Sequence, residues 1–341
     1  MYLEHFHLKE FPFRLTPDFD FFFMSESHAR AKAYLEYTVV SKDGFVVITG
    51  EIGAGKTTLL NMLINEMRDN VVLAHINQTQ LNEVEFLQSV LSAFGLDIGG
   101  NPGKVELLNR LRSYLERQVG ADRRVVLAID EAQSLSYNVL EQIRMLSGME
   151  SNKSKLMSVI LMGQPELDRV INSPELEQLS QRVRLRFHLG PLNKQESRQY
   201  VRHRLTVAGA RSTNIFTDGA YDVILDYAGG IPRLINSLCD MALLAAYVDD
   251  QLQVSAETVK EAAKELEWPL FEERQSGKRR MGARTPRGNG NLPAENRERE
   301  QFEQVIQTAL ASMAVGFEGL REELKGIENR LAEVVRRLKK D

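Results

Sequence analysis

Five short apolar runs, at 45–49, 71–76, 125–130, 156–162 and 183–189, alternate along the chain with stretches of helical periodicity. Runs of this length, bounded by turn and polar residues, predict buried strands. The intervening helices are readable at their starts. Asn82 with Glu85 three residues on is a capping box, followed at helical spacing by Phe86, Leu87, Val90, Leu91 and Phe94. A helix before the first strand is predicted from Ser25, its N-cap, to about Ser41. Strands alternating with helices predict an α/β fold, a parallel sheet sandwiched by helices. Beyond Pro191 the strand signals stop, and the helical patterns at about 193–208, 217–228, 231–248 and 255–267 predict a small all-helical domain.

The two ends of the chain read differently. Seven of the fifteen Phe fall in the first 23 positions (Phe6, Phe11, Phe13, Phe19, Phe21, Phe22, Phe23), broken by Pro12 and Pro17. They predict an extended segment whose rings either fill a groove on a core or take a share in binding an aromatic base. Residues 274–297 hold four Gly, two Pro and seven basic residues against one acidic, the composition of a disordered linker. Phe302, Ile306, Ala309, Met313, Phe317, Leu320, Leu324, Ile327, Leu331, Val334 and Leu338 then recur every three or four positions. That is a coiled-coil seam with one stutter, suited to self-association or to a partner helix, with docking onto the body as the alternative. The expected organisation is an N-terminal segment and helix (1–41), an α/β core (42–191), a helical domain (192–273), a basic linker (274–297) and a coiled coil (298–341).

A length of 341 residues fits two domains with a remainder. The net charge of −4 is uninformative as an average, because the fifteen basic and ten acidic residues from Arg274 onward leave the rest of the chain strongly acidic. A flexible basic segment can contact phosphates or anionic headgroups while the body stays acidic. The single cysteine, Cys239, excludes an intrachain disulfide and any CxxC site, and suits a reducing cytoplasm. No apolar run approaches 18 residues, and Glu4, His5, His7, Lys9 and Glu10 stand where a signal peptide needs an apolar core, so neither membrane spanning nor secretion is expected. There is no HExxH, and the six scattered His form no zinc-spaced cluster.

The chemistry is concentrated in one constellation. Gly50, Glu51, Ile52, Gly53, Ala54, Gly55, Lys56 and Thr57 fit GxxxxGK[ST], directly after a predicted strand and before the helical pattern Leu59, Leu60, Leu63, Ile64 and Met67. The glycines let backbone N–H groups curl around phosphates, the helix N-terminus adds partial positive charge, Lys56 reaches the β/γ oxygens, and the Thr57 hydroxyl can hold Mg²⁺. Thr58 is counted with the loop among the nucleotide-binding residues. The third strand ends in Asp130 and Glu131 with no basic partner following, so these carboxylates want a metal or a water. Asp130 can hold Mg²⁺ through water, and Glu131 can orient or deprotonate an attacking water.

Gln164 follows the next strand at the carboxyl edge of the sheet, where it acts either as a turn residue or in positioning water and sensing the γ-phosphate. Arg182, Arg184 and Arg186 alternate with Val183, Leu185 and Phe187, which are expected to face a core. Arg182, at the start of that strand, is either solvated or an arginine finger toward a neighbouring subunit's nucleotide. Gly229 and Gly230 end one helix and Pro232 opens the next, fixing Arg233 in a first turn. A cation there is electrostatically unfavourable, which points to a bound anion or to a plain surface residue.

With these residues assembled, residues 1–270 resemble the P-loop AAA+ ATPases, and within them the ExeA-like (general secretion pathway protein A) branch related to transposition ATPases of the TniB/TnsC type. The marks are Phe11-Pro12-Phe13 with Thr16-Pro17-Asp18, Asp130-Glu131-Ala132-Gln133, Gly163-Gln164-Pro165-Glu166-Leu167, Gln181-Arg182-Val183 and Gly229-Gly230-Ile231-Pro232-Arg233. The resemblance implies ATP with Mg²⁺, Lys56 and Thr57 in Walker A, Asp130 and Glu131 in Walker B, Gln164 as sensor 1, Arg182 as the trans-acting finger, Arg233 as sensor 2, and the helical domain as a lid. Residues 44–58, 80–81 and 176–192 look most like the ATPases of exosortase/PEP-CTERM exopolysaccharide loci, which share a C-terminal coiled coil. Secretion ExeA proteins continue into a membrane helix and a peptidoglycan-binding domain that 274–341 do not offer.

Three functions follow as expectations. The first is an ATP-hydrolysing ring or filament, cytoplasmic or peripheral at the inner membrane, serving polysaccharide or protein export through a partner of the coiled coil. The second is an ATP-controlled DNA-binding regulator using Lys278, Arg279, Arg280, Arg284 and Arg287, whose phosphate contacts would weaken steeply with salt. The third is a coiled-coil scaffold whose oligomeric state nucleotide sets.

Overall fold

The computed structural model describes residues 2–274 apart from 17, 42, 43, 68, 69, 79, 101, 152, 153 and 213. The linker from 275 on, its basic run and the coiled coil predicted over 298–341 lie outside the described residues.

Five parallel strands, β1 (Phe45–Gly50), β2 (Val71–Ile76), β3 (Arg124–Ile129), β6 (Ser158–Gly163) and β7 (Leu185–Leu189), form a sheet in the order β2-β3-β6-β1-β7. A two-residue antiparallel pair, β4 (Glu150–Ser151) with β5 (Ser154–Lys155), sits apart from it. All six positions of β1 and of β6 are buried, which is what a strand covered on both faces requires. Val47, Leu127, Val159 and Leu161 share one core with α4 (Glu83–Ala93), α5 (Lys104–Gly120), α6 (Tyr137–Ser147), α7 (Glu166–Ile171) and α8 (Glu177–Ser180). The alternate residues turn to the other face, where α2 (Glu26–Val40) packs on β1, β3, β6 and β7 and α3 (Lys56–Glu66) on β1.

The predicted starts hold where they rest on local hydrogen bonds. Ser25 accepts the His28 N–H at the start of α2, and Asn82 with Glu85 makes both bonds of the capping box. The last strand differs: it begins at Leu185, because residues 177–184 form α8 and a turn closed by Arg182 N–H to Leu179 O. Arg182 and Arg184 therefore precede the strand, and Phe187 is only half-buried, against Tyr34 and Arg30.

The helical part is α9 (Lys194–Val207), α10 (Asp218–Ala228), α11 (Pro232–Val248) and α12 (Ala256–Glu265). Its core is completed from the far end of the chain: Tyr2 of α1 (Tyr2–His5), Phe6, Leu8, Phe13 and Phe21 join Leu205, Ile235, Leu243 and Val259 in one cluster. Tyr2 Oη donates to Asp240 at 2.5 Å, the Lys9 N–H donates to the Ala208 carbonyl at 2.8 Å, and buried Arg204 donates to the carbonyls of Pro12 and Arg14 at 2.6 and 2.9 Å. The N-terminal segment is thus part of the helical layer, while the helix that follows it belongs to the sheet.

Candidate active site

Parallel register brings the carboxyl ends of β1, β3 and β6 to one edge, so the residues just past Gly50, Ile129 and Gly163 converge there. The loop after β1 wraps into α3, whose first residue is Lys56. Lys56 is buried, and its Nζ donates to the carbonyls of Gly50 and Glu51 at 2.7 and 3.1 Å. Burial pulls the ammonium pKa down, partly offset by Asp130, Glu131 and Glu51, and an anion bound beside it would offset the burial further. The Thr57 hydroxyl donates to Asp130 Oδ2 at 2.5 Å, which puts two hard oxygen donors together at the helix start, a set suited to Mg²⁺ shared with phosphate oxygens.

Glu131 stands on the left-handed side of the backbone map, at φ 52°, and its N–H donates to Oδ1 of buried Asp130 at 2.9 Å. Two amides hold it: Gln133 Nε2 donates to Glu131 Oε2 at 2.7 Å and Gln164 Nε2 donates to the same oxygen at 3.3 Å. Gln133 is itself fixed by accepting the Gln164 N–H at 3.0 Å. A β-carbon on Gly163 would stand 2.7 Å from that Gln133 oxygen, so the glycine at the end of β6 makes room for the clamp. Gln133 is a member that spacing alone left without a role; its signal was its place two residues after Glu131.

A cavity of about 370 Å³ opens beside the loop. Residues 52–58 and Glu131 line one end, Arg233 enters from α11, and Arg14, Phe21, Phe22, Phe23, His28, Tyr200, Arg204 and Asn236 are among the residues that line the rest. Phe13 and Phe21 fill the helical core, the first of the two roles left open for the aromatic segment, and Phe21 to Phe23 also border the cavity. Arg233 follows Pro232 in the first turn of α11, its N–H donating to the Gly53 carbonyl at 3.3 Å and its side chain exposed. Arg182 is not brought to this cavity. It lies with Gly44, Ser147 and Met157 at the opposite end of β1, about 20 Å of strand away. Arg186, with the same spacing, is engaged with Asn172 and Ser180.

A phosphate loop after the first strand, an acid pair after the third and an amide after the fourth, over a parallel sheet beside a helical layer, make the arrangement of a P-loop nucleotide site. Residues 39–171 match the family model described as an AAA domain. Over 247 residues, 72% of the chain, it is 41% identical to General secretion pathway protein A of Aeromonas hydrophila and spans 45% of that protein's length. Among solved structures it is similar in fold to Cdc6p of Pyrobaculum aerophilum (TM-score 0.59, 18% identity, 77% of this chain and 70% of that one). It is likewise similar to the ORC2 protein of Aeropyrum pernix (TM-score 0.53, 19% identity, 70% and 66%). No helix among the described residues is long and apolar enough to cross a membrane.

Proposed function

We propose that this chain binds ATP in the cavity, hydrolyses it with Mg²⁺, and works as a homo-oligomer, ring or filament, in which each copy completes its neighbour's site. The observation that carries the reading is the clamp of Gln133 and Gln164 on Glu131, beside the Thr57–Asp130 pair and across the loop from Lys56. Lys56 exchanges its two loop carbonyls for β/γ-phosphate oxygens. Thr57 and Asp130 would hold Mg²⁺, which when bound neutralises charge on the transferring phosphate. Glu131 orients the attacking water and accepts its proton, with Gln164 reporting the γ-phosphate to the same carboxylate. The base end lies among Phe21, Phe22, Tyr200 and Arg204, and Arg233 carries nucleotide state to the lid.

Arg182 points to the oligomer, since its place at the far end of β1 supports a role toward a neighbouring copy and not toward its own phosphates. The similarity to General secretion pathway protein A supports a motor or switch for export, peripheral at the inner membrane, with 298–341 recruiting the partner and exopolysaccharide as one cargo class. The test is Mg²⁺-dependent phosphate release. Lys56→Ala is expected to abolish it, and mixing Arg182→Ala with Glu131→Gln, each inactive alone, to restore part of it. A fully active Arg182→Ala, or mixtures inactive at every ratio, would overturn the shared site.

A further inference from the structure

His28 sits in the first turn of α2, 2% exposed, against the phosphate loop and among the residues that line the same cavity. Its Nε2 lies 2.9 Å from the Ala54 carbonyl oxygen and its Nδ1 lies 2.6 Å from Ser25 Oγ, while its backbone N–H donates to that same Oγ at 3.2 Å. A carbonyl only accepts, so Nε2 carries the proton; the bare Nδ1 of a neutral ring then accepts the Ser25 hydroxyl. One serine thus caps the helix and sets the tautomer. The Phe22 ring closes the pocket edge-on at 5.3 Å, and burial holds the imidazole below its ordinary pKa, which keeps it neutral.

The consequence lies in the peptide that follows. In a planar trans peptide the carbonyl and the next N–H point in opposite directions. Holding the Ala54 carbonyl on His28 therefore turns the Gly55 N–H to the opposite side of the peptide. Gly55, on one side of this peptide, stands at φ 100° and has no β-carbon, so rotation about that bond is less restricted than at any other residue type. A flipped peptide would present a carbonyl oxygen to phosphate.

We propose that His28 is a positioning residue for phosphate binding: fixed by Ser25, it pins the Ala54 carbonyl and so keeps the Gly55 N–H aimed at the nucleotide's phosphates. The proposal rests on the ATP reading above. Its test compares His28→Gln, whose amide nitrogen reaches the position of Nε2, with His28→Asn and His28→Ala, which cannot. Readouts are KM and kcat for Mg²⁺-dependent ATP hydrolysis, with melting temperature alongside. His28→Asn and His28→Ala are expected to raise KM about tenfold with kcat little changed, the loss of one well-aimed donor to a charged group. His28→Gln is expected to stay within about threefold of wild type. If His28→Ala does not fold, the Asn and Gln pair decides. His28→Gln as weak as His28→Asn, or all variants with the wild-type KM, would overturn the proposal alone. A wild-type chain that hydrolyses no ATP would overturn the phosphate-loop reading and this one with it.

Discussion

The two ends of the cavity are assembled in different ways. At the phosphate end, residues 50–58 are contiguous, and Asp130, hydrogen-bonded to Thr57, and Gln164, hydrogen-bonded to Glu131, follow strands whose parallel register brings them alongside. At the other end, Arg204 meets the carbonyls of Pro12 and Arg14, and Asn236 the carbonyl of Arg14, across 190 or more residues of chain. One end is specified by residue types at fixed offsets; the other by folding the N-terminal segment into the lid's core. A nucleotide gripping both ends would therefore couple the sheet to the lid through residues that are neither in the loop nor in the acid pair.

Phe13→Ala is the largest expected break in that comparison. Phe13 is 2% exposed and edge-on to Phe216, and its removal is expected to cost about 3–5 kcal/mol in urea unfolding, loosening the base end while the loop sequence is untouched. A loss below about 1 kcal/mol would mean the segment is not part of the lid's core. Gln133→Ala sharpens the phosphate end: about a tenfold fall in kcat at unchanged KM, since it removes a bond to Glu131 and leaves Lys56 and Thr57 in place. An unchanged kcat would show that Gln164 alone suffices. Asn82→Ala is a purely local change, expected to cost about 1 kcal/mol of stability from the lost capping box with kcat and KM unaltered.

The same contrast explains what could be read from the chain. Strand order of appearance, the loop, the acid pair and the Asn82 capping box were legible because each depends on neighbours within a few residues. The role of Arg204 was not, because its partners are backbone carbonyls, which every residue carries. His28 was hidden for the same reason: its partner across the fold is the Ala54 carbonyl. The start of β7 was misplaced by two residues because the alternation of Arg182 to Phe187 looks like a strand, while the chain there is still closing the turn after α8. The N-terminal aromatics were recognisable as packing residues, yet no pattern says that they pack on the lid and not on the sheet.

In the proposed mechanism Glu131 is the residue that separates holding ATP from hydrolysing it. The direct measurement is to load wild type and Glu131→Gln with Mg²⁺ and ATP, remove free nucleotide, and follow the bound species with time. Wild type is expected to convert bound ATP to ADP, and Glu131→Gln to retain it as ATP, with turnover slowed about 10²–10⁴-fold. Conversion by Glu131→Gln at the wild-type rate would contradict the assignment.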